Sequence, residues 1–199
     1  MPAEICLASA STIRKTLLEN AGLAVAVAPA RIDEATIRQS LLADEAGPRD
    51  VADALAEMKA RKISQRDTQA LVLGCDQVLA LKRDIFSKPA TPDDLIRQLR
   101  ILRGQTHHLM SAAVLYQGGE PLWRHVGVVR MTMRDLSDAY IDDYVAQHWD
   151  DVRYCVGGYK LEGQGVRLFS RVEGDYFSVL GLPLLELLSY LTLRGTLPT

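Results

Sequence analysis

Cysteine pairs, net charge and long apolar runs are all scarce in this 199-residue sequence, and each scarcity excludes something. Cysteine is limited to Cys6, Cys75 and Cys155, far apart and without a C-x-x-C pair. That argues against a disulfide framework or a zinc site and for reduced thiols in a cytoplasmic setting. Cys75 stands beside an acid, as a nucleophile can, but reads as a small buried hydrophobe. The formal net charge is −2, so no global field recruits nucleic acid or an acidic membrane, and stable binding to either is not expected. Any anion has to be held by a local cluster. The most apolar stretch, 179 to 193, carries Pro183 and Glu186 and is too short to span a bilayer. No basic segment followed by a long apolar one opens the sequence, so no signal peptide is expected. No repeat and no low-complexity linker interrupts it.

What is present is an ordinary soluble composition, 48% hydrophobic and 24% charged. The length allows one large domain or two small lobes. The chain is organised around residues 70 to 89. Leu71-Val72-Leu73 reads as a short strand buried on both faces. Gly74 and Cys75 follow, then Asp76. A carboxylate directly after a core strand has a desolvation cost unless a metal ion or a cation pairs with it. Val78 to Leu81 resumes the strand pattern, Lys82-Arg83-Asp84 turns the chain, and Ile85-Phe86 returns it to Lys88. Such a hairpin brings Asp76 and Lys88 to one end of a sheet, which suits a phosphate-and-metal site. The alternative is a surface salt bridge beside a core strand.

Taken in order, Ile5 to Ala8 is a strand, Ser9-Ala10-Ser11 a small loop, and Thr12 to Asn20 a helix capped by Ser11 and ended by Gly22. The helix start offers free N–H groups, and small Ser9 and Ser11 let an anion approach. Arg14 in the first turn is unfavourable for the helix unless a phosphate binds there. Ala24 to Ala28 is a second strand. Asp33 and Glu34 can cap a helix running to about Ala43. Pro48 opens another helix, on which Val51, Leu55 and Met58 share a buried face and Lys59 and Lys62 fall by default on a solvated one. Thr91-Pro92-Asp93-Asp94 starts a scaffold helix stopped by Gly104. Two strands, 106–116 and 122–133, flank a glycine turn, and Ser137 caps a helix to about His148. His107, His108, His125 and His148 read as structural or surface residues. Residues 156–165 are punctuated by glycines but do not form a P-loop, and Glu162 among them can face a metal. Val166 to Val172 is a strand. An apolar helix from Leu184 to about Leu193 favours burial or a dimer contact.

Four stretches together resemble the Maf family of septum-formation inhibitor-like proteins, which are nucleoside triphosphate pyrophosphatases. They are Leu7-Ala8-Ser9-Ala10-Ser11-Thr12-Ile13-Arg14; Ile32-Asp33-Glu34; Gly74-Cys75-Asp76-Gln77 with Ser87-Lys88-Pro89; and Gly158-Tyr159-Lys160-Leu161-Glu162-Gly163 with Val179-Leu180-Gly181-Leu182-Pro183-Leu184. Ala56-Glu57-Met58-Lys59-Ala60 is similar to the family's lysine segment. The resemblance implies a single α/β domain over residues 1–199, a mixed twisted sheet flanked by helices in two lobes with a central cleft. It implies release of pyrophosphate from a nucleotide, and Mg²⁺ or Mn²⁺ as the divalent metal. By the same resemblance Arg14, Lys59 and Lys88 are triphosphate-binding cations, Glu34 is an acidic site residue and Asp76 is the general base. Specificity positions fall at Ile13, Gln77 and Glu162. Asp76-Gln77 and Glu162-Gly163 look like the branch acting on 7-methyl-GTP. The family usually has Pro then Arg or Trp where this chain has Thr12 and Ile13, which removes a stacking surface for the base.

Residues and resemblance converge on one expected site. Ser9, Ser11, Arg14, Lys59 and Lys88 bind the polyphosphate. Asp76, Glu34 and Glu162 are the candidate metal ligands. Asp76 deprotonates a water that attacks the α-phosphorus. A homodimer is expected from the apolar C-terminal helix and from family habit. The rival readings are a nucleotide-sensing cell-division regulator without turnover and a house-cleaning pyrophosphatase of broad base tolerance.

Overall fold

The computed structural model describes residues 4–198. Seven strands form one mixed sheet in the order β2-β1-β3-β5-β6-β7, with β4 paired to β3 outside that path. β1 (Glu4–Leu7) lies parallel to β2 (Ala24–Val27) on one side and to β3 (Val72–Leu81) on the other. Both parallel connections run through helices, α1 (Thr12–Asn20) and then α2 (Glu34–Ala43) with α3 (Pro48–Ser64). From β3 onward every pairing is antiparallel. β4 (Asp84–Phe86) folds back on β3 across Lys82-Arg83, with Lys82 at φ +57°. Then α4 (Pro92–Leu102), β5 (Thr106–Gln117), β6 (Glu120–Met133), α5 (Asp138–Val152) and β7 (Phe169–Glu173) follow, and α6 (Tyr176–Val179) and α7 (Leu184–Leu193) close the chain.

Alternation along β3 sorts the core into two faces. Val72 and Val78 pack with Val51, Leu55 and Ala60 of α3, whereas Leu73 and Cys75 pack with Leu17 and Leu18 of α1 and Leu187 and Leu191 of α7. A third cluster, under α4 and α5, gathers Leu95, Leu99, Leu102, Leu109, Met131 and Ile141. Gly74 sits where α3 crosses the sheet. A Cβ there would lie 2.1 Å from the Ala56 carbonyl oxygen and 2.6 Å from the Ala60 nitrogen. Only glycine, facing two alanines, allows so close a crossing. No helix of the described residues is long and apolar enough to cross a membrane.

Four local expectations are corrected. β3 is not broken after Leu73; it runs through Gly74, Cys75 and Asp76, because each keeps its ladder partner on β5. Asp76 is therefore a mid-strand residue opposite Ala112. The expected strand from Val166 begins only at Phe169, since residues 164–168 form a short 3-10 turn. Gly165 packs its α-carbon against the Lys160 backbone, and a Cβ would meet the carbonyl oxygen at 2.5 Å. That tight doubling back leaves no room for an extended strand. Met58 does not join the buried face of α3 but is 41% exposed. Lys59, expected on the solvated side, is buried. Helix α7 is buried along Leu184, Leu187 and Leu191 and leaves Leu185 and Leu193 exposed.

Candidate active site

The loop after β1 is built from small residues that hold one another. Ser11 caps α1, its Oγ accepting from the Arg14 N–H at 3.4 Å, and Ser9 Oγ accepts from the Ser11 N–H at 3.3 Å. Arg14 then turns inward rather than out to solvent. Its Nε donates to the Gly181 carbonyl at 2.8 Å, and its Nη1 donates to Ser9 Oγ at 3.1 Å and to the Cys75 carbonyl at 3.3 Å. The guanidinium ties the first loop, the central strand and the C-terminal turn together and still lines the cleft. Much of its donor capacity is thus committed to the protein itself.

The close crossing of α3 over Gly74 brings Lys59 one pleat further along, onto Asp76. Lys59 Nζ donates to Asp76 Oδ1 at 2.7 Å and meets Glu34 Oε1 at 2.8 Å. Glu34 reaches it from the first turn of α2, whose N-cap is Asp33, with Asp33 Oδ1 accepting from the Thr36 N–H at 3.1 Å. One ammonium therefore serves two carboxylates. Asp76 Oδ2 is buried and has no partner among the described residues. Burial dominates at Asp76 and pushes its carboxyl above the ordinary range, against the pull of Lys59 and Arg14, and the Glu34 charge adds to the rise. At Glu34 burial also pushes upward. There the Lys59 hydrogen bond and the charges of Lys59, Lys88 and Arg38 outweigh it, and the carboxyl lies below its ordinary value. Two acids sharing one cation are thus driven apart in proton affinity. Cys75, fully buried, has its thiol pushed up to about 11 by desolvation, so it is no thiolate nucleophile.

These groups open into a cleft of about 1060 Å³, ample for a nucleotide. Ser9, Ser11, Ile13, Arg14, Glu34, Lys59, Asp76, Gln77, Lys88 and Glu162 all line it. The cleft does not bring the three expected metal-ligating acids together. Among the described residues no group of three His, Cys, Asp or Glu side chains is placed to hold a metal ion. Lys59 stands between Glu34 and Asp76, and Glu162 is exposed on the segment of Lys160 and Cys155, whose groups feel its charge. Gln77 also differs from a free specificity side chain. Its Nε2 donates to Val179 O at 2.9 Å, Ser111 Oγ at 3.0 Å and Ser178 O at 3.2 Å. Three acceptors around one atom fix the amide orientation, and Oε1 is what Gln77 has left for a ligand.

Sequence reasoning missed several residues of the cleft. Arg38 lies four positions after Glu34, the i,i+4 spacing that puts both on one helix face, and its Nη1 donates to Ser87 Oγ at 3.2 Å. Lys160 pairs with Asp151 at the other wall, beside the exposed ring of Tyr154. Nothing in the sequence marks Asp151 or Tyr154, because they face the cleft only through the way α5 ends.

A family model described as Maf-like protein matches residues 4–193. A nucleoside triphosphate pyrophosphatase of Roseobacter denitrificans is 59% identical over 100% of both chains. A protein of the same name from Ruegeria pomeroyi is 55% identical, again over 100% of both. A 7-methyl-GTP pyrophosphatase of Mesorhizobium japonicum is 47% identical over 99% of both. Among solved structures, a HAM1 protein of Coxiella burnetii covers 68% of this chain and 75% of its own at TM-score 0.45 and 18% identity, a likeness too weak to add to these. A family match over nearly the whole length, with relatives this similar from end to end, makes the chain a member of the Maf-like protein family.

Proposed function

We propose that this chain is a nucleoside triphosphate pyrophosphatase, a hydrolase that cleaves between the α- and β-phosphates and releases the nucleoside monophosphate and pyrophosphate. The observation that carries the reading is the buried Asp76 carboxylate at the cleft wall, one oxygen fixed by Lys59 and the other buried without a partner. The activity is also the one in the names of relatives similar along their whole length. Asp76 takes a proton from a water through its free oxygen. The water oxygen forms a bond to the α-phosphorus, the bond to the bridging oxygen breaks, and pyrophosphate leaves. Burial raises the proton affinity of Asp76 towards the working pH, where a general base is most effective. Lys59 holds the carboxylate in place rather than serving as a free phosphate ligand, and Arg14 braces the serine loop from which N–H groups face the phosphates.

A divalent ion fits this donor set. Mg²⁺ commonly takes one or two carboxylates together with substrate phosphates, and the residue that would hold it is Glu34, with the unpartnered Asp76 oxygen left to the water. When bound, it supplies neutralising charge to the phosphates.

For the base, we favour a 7-methylguanine nucleotide. The family's specificity positions here present acceptors, Gln77 Oε1 and the Glu162 carboxylate, and the guanine edge presents N1–H and N2–H donors. Relatives named for 7-methyl-GTP are 45–47% identical. The broader alternative is supported by the more similar relatives, which carry the general name. Pyrophosphate release from 7-methyl-GTP, GTP, UTP and dTTP decides between them. Preference for 7-methyl-GTP supports the narrow reading, and equal rates support the broad one. Asp76→Asn should lose about 10²–10⁴-fold in turnover with an unchanged circular dichroism spectrum, and normal turnover would remove Asp76 as the base.

A further inference from the structure

Resting on the pyrophosphatase reading, we propose that Arg38 is the cation that grips the pyrophosphate end of the substrate. A triphosphate brings several negative charges, yet the cations nearest Asp76 are largely committed. Lys59 is held between two carboxylates, and Arg14 donates to three protein oxygens. Arg38 is different. It lines the same cleft, and its Nη1 is fixed by Ser87 Oγ at 3.2 Å. Its Nε is buried with no hydrogen-bond partner among the described residues. A buried N–H without an acceptor is rare and costly, and it belongs to a side chain that lines the space a ligand would fill. The planar guanidinium, held at one corner, suits the oxygens of a terminal phosphate.

Its place along the cleft assigns the end of the substrate it meets. The α-phosphorus must lie at Asp76, where the water is activated. Asp76 feels Lys59, Arg14 and Glu34, whereas Glu34 feels Lys59, Lys88 and Arg38. Arg38 shares α2 with Glu34 and is tied to Ser87 beside Lys88, so these two cations stand together on one wall of the cleft, and the leaving phosphates are assigned to that wall. Ser87, next to Lys88, supplies the hydroxyl that aims Arg38.

The test is calorimetric titration of inorganic pyrophosphate, and separately of GMP, into the full-length protein in Mg²⁺ buffer. Wild type, Arg38→Met and Arg38→Lys are compared. Met preserves the helix propensity of a half-buried position, and unchanged thermal midpoints verify folding. The expected result is a pyrophosphate Kd weakened about tenfold or more in Arg38→Met, a smaller loss in Arg38→Lys, and an unchanged GMP Kd. An unchanged pyrophosphate Kd in Arg38→Met overturns the proposal, and so does an equal loss for GMP and pyrophosphate. A wild type that binds pyrophosphate but releases none from any nucleotide removes the hydrolase reading alone, since the binding comparison still decides the contact.

Discussion

Lys59 meets two carboxylates at once, and that decides what its loss would do. Its charge opposes the rise that burial imposes on Asp76. A base must be ionised to accept a proton, so the acid limb of kcat/KM should lie above the ordinary carboxylate range in the wild type. In Lys59→Met it should move higher still, with about 3 kcal/mol of stability lost because the buried Asp76 carboxylate is left uncompensated. A pH–rate profile beside a thermal melt checks both, and a limb that moves to lower pH contradicts the ion-pair account. At this scale the sequence was half legible. Asp76 announces itself, because an acid amid apolar strand residues demands a partner. Lys59 does not, because a lysine on a helix is solvated unless the helix is drawn down onto the sheet. Glu162 lines the same cleft as Glu34 and Asp76 without forming one cluster with them among the described residues, and spacing along a chain does not say which cation already stands between two acids.

That drawing down is the work of one element contact. α3 crosses β3 at Gly74, and the alanines Ala56 and Ala60 complete the fit. Gly74→Ala places a methyl inside the α3 backbone, and overpacking of this kind costs typically ~1–3 kcal/mol. The helix should move outward, the Lys59–Asp76 contact of 2.7 Å should lengthen, and turnover should fall although no side chain of the cleft has changed. Denaturant unfolding and turnover measured together check this, and full activity in a normally stable variant would contradict it. Helices with strong caps, such as α1 behind Ser11 and α4 behind Thr91, were legible almost to the residue. The apolar strand pattern pauses between Leu73 and Val78, yet β3 runs on through Gly-Cys-Asp-Gln because its backbone groups are held by β5 whatever the side chains are. The start of β7 was misplaced because the doubling back at Gly165 comes from contact with Lys160, not from local propensity.

On the scale of the whole molecule, the buried histidine couples the fold to pH. His107 is fully buried, hydrogen-bonded through Nε2 to Tyr159 Oη at 2.8 Å, and desolvation followed by the charge of neighbouring His108 lowers its pKa from 6.5 to about 4. Above pH 6.5 it is neutral folded or unfolded and contributes no pH dependence. Below that the unfolded chain takes up a proton the folded chain refuses, so stability falls as pH drops from 6.5 towards 4, by about 3 kcal/mol over the window at ~1.4 kcal/mol per unit. Asp76, with its raised pKa, works the other way, so the comparison is with His107→Gln. Urea midpoints between pH 7 and 4.5 should fall more steeply for wild type than for the variant, and parallel lines would refute the assignment. The overall architecture was legible in the alternation of strands and capped helices. That one cleft gathers the expected residues was legible through the family resemblance, whereas the hydrogen bonds that commit Arg14 and Gln77 to the turn at 178–181 were not, because those partners lie more than a hundred positions away.

The Gly181 turn is anchored from far upstream, by Arg14 on its carbonyl and by Gln77 and Ser111 on the carbonyls just before it. During synthesis these anchors emerge long before their acceptors do. A nascent polypeptide halted short of Gly181 holds an arginine with nothing to grasp and a serine loop with no brace. Residues 178–181 must therefore be made before the arginine, the glutamine and the serine have anything to hold.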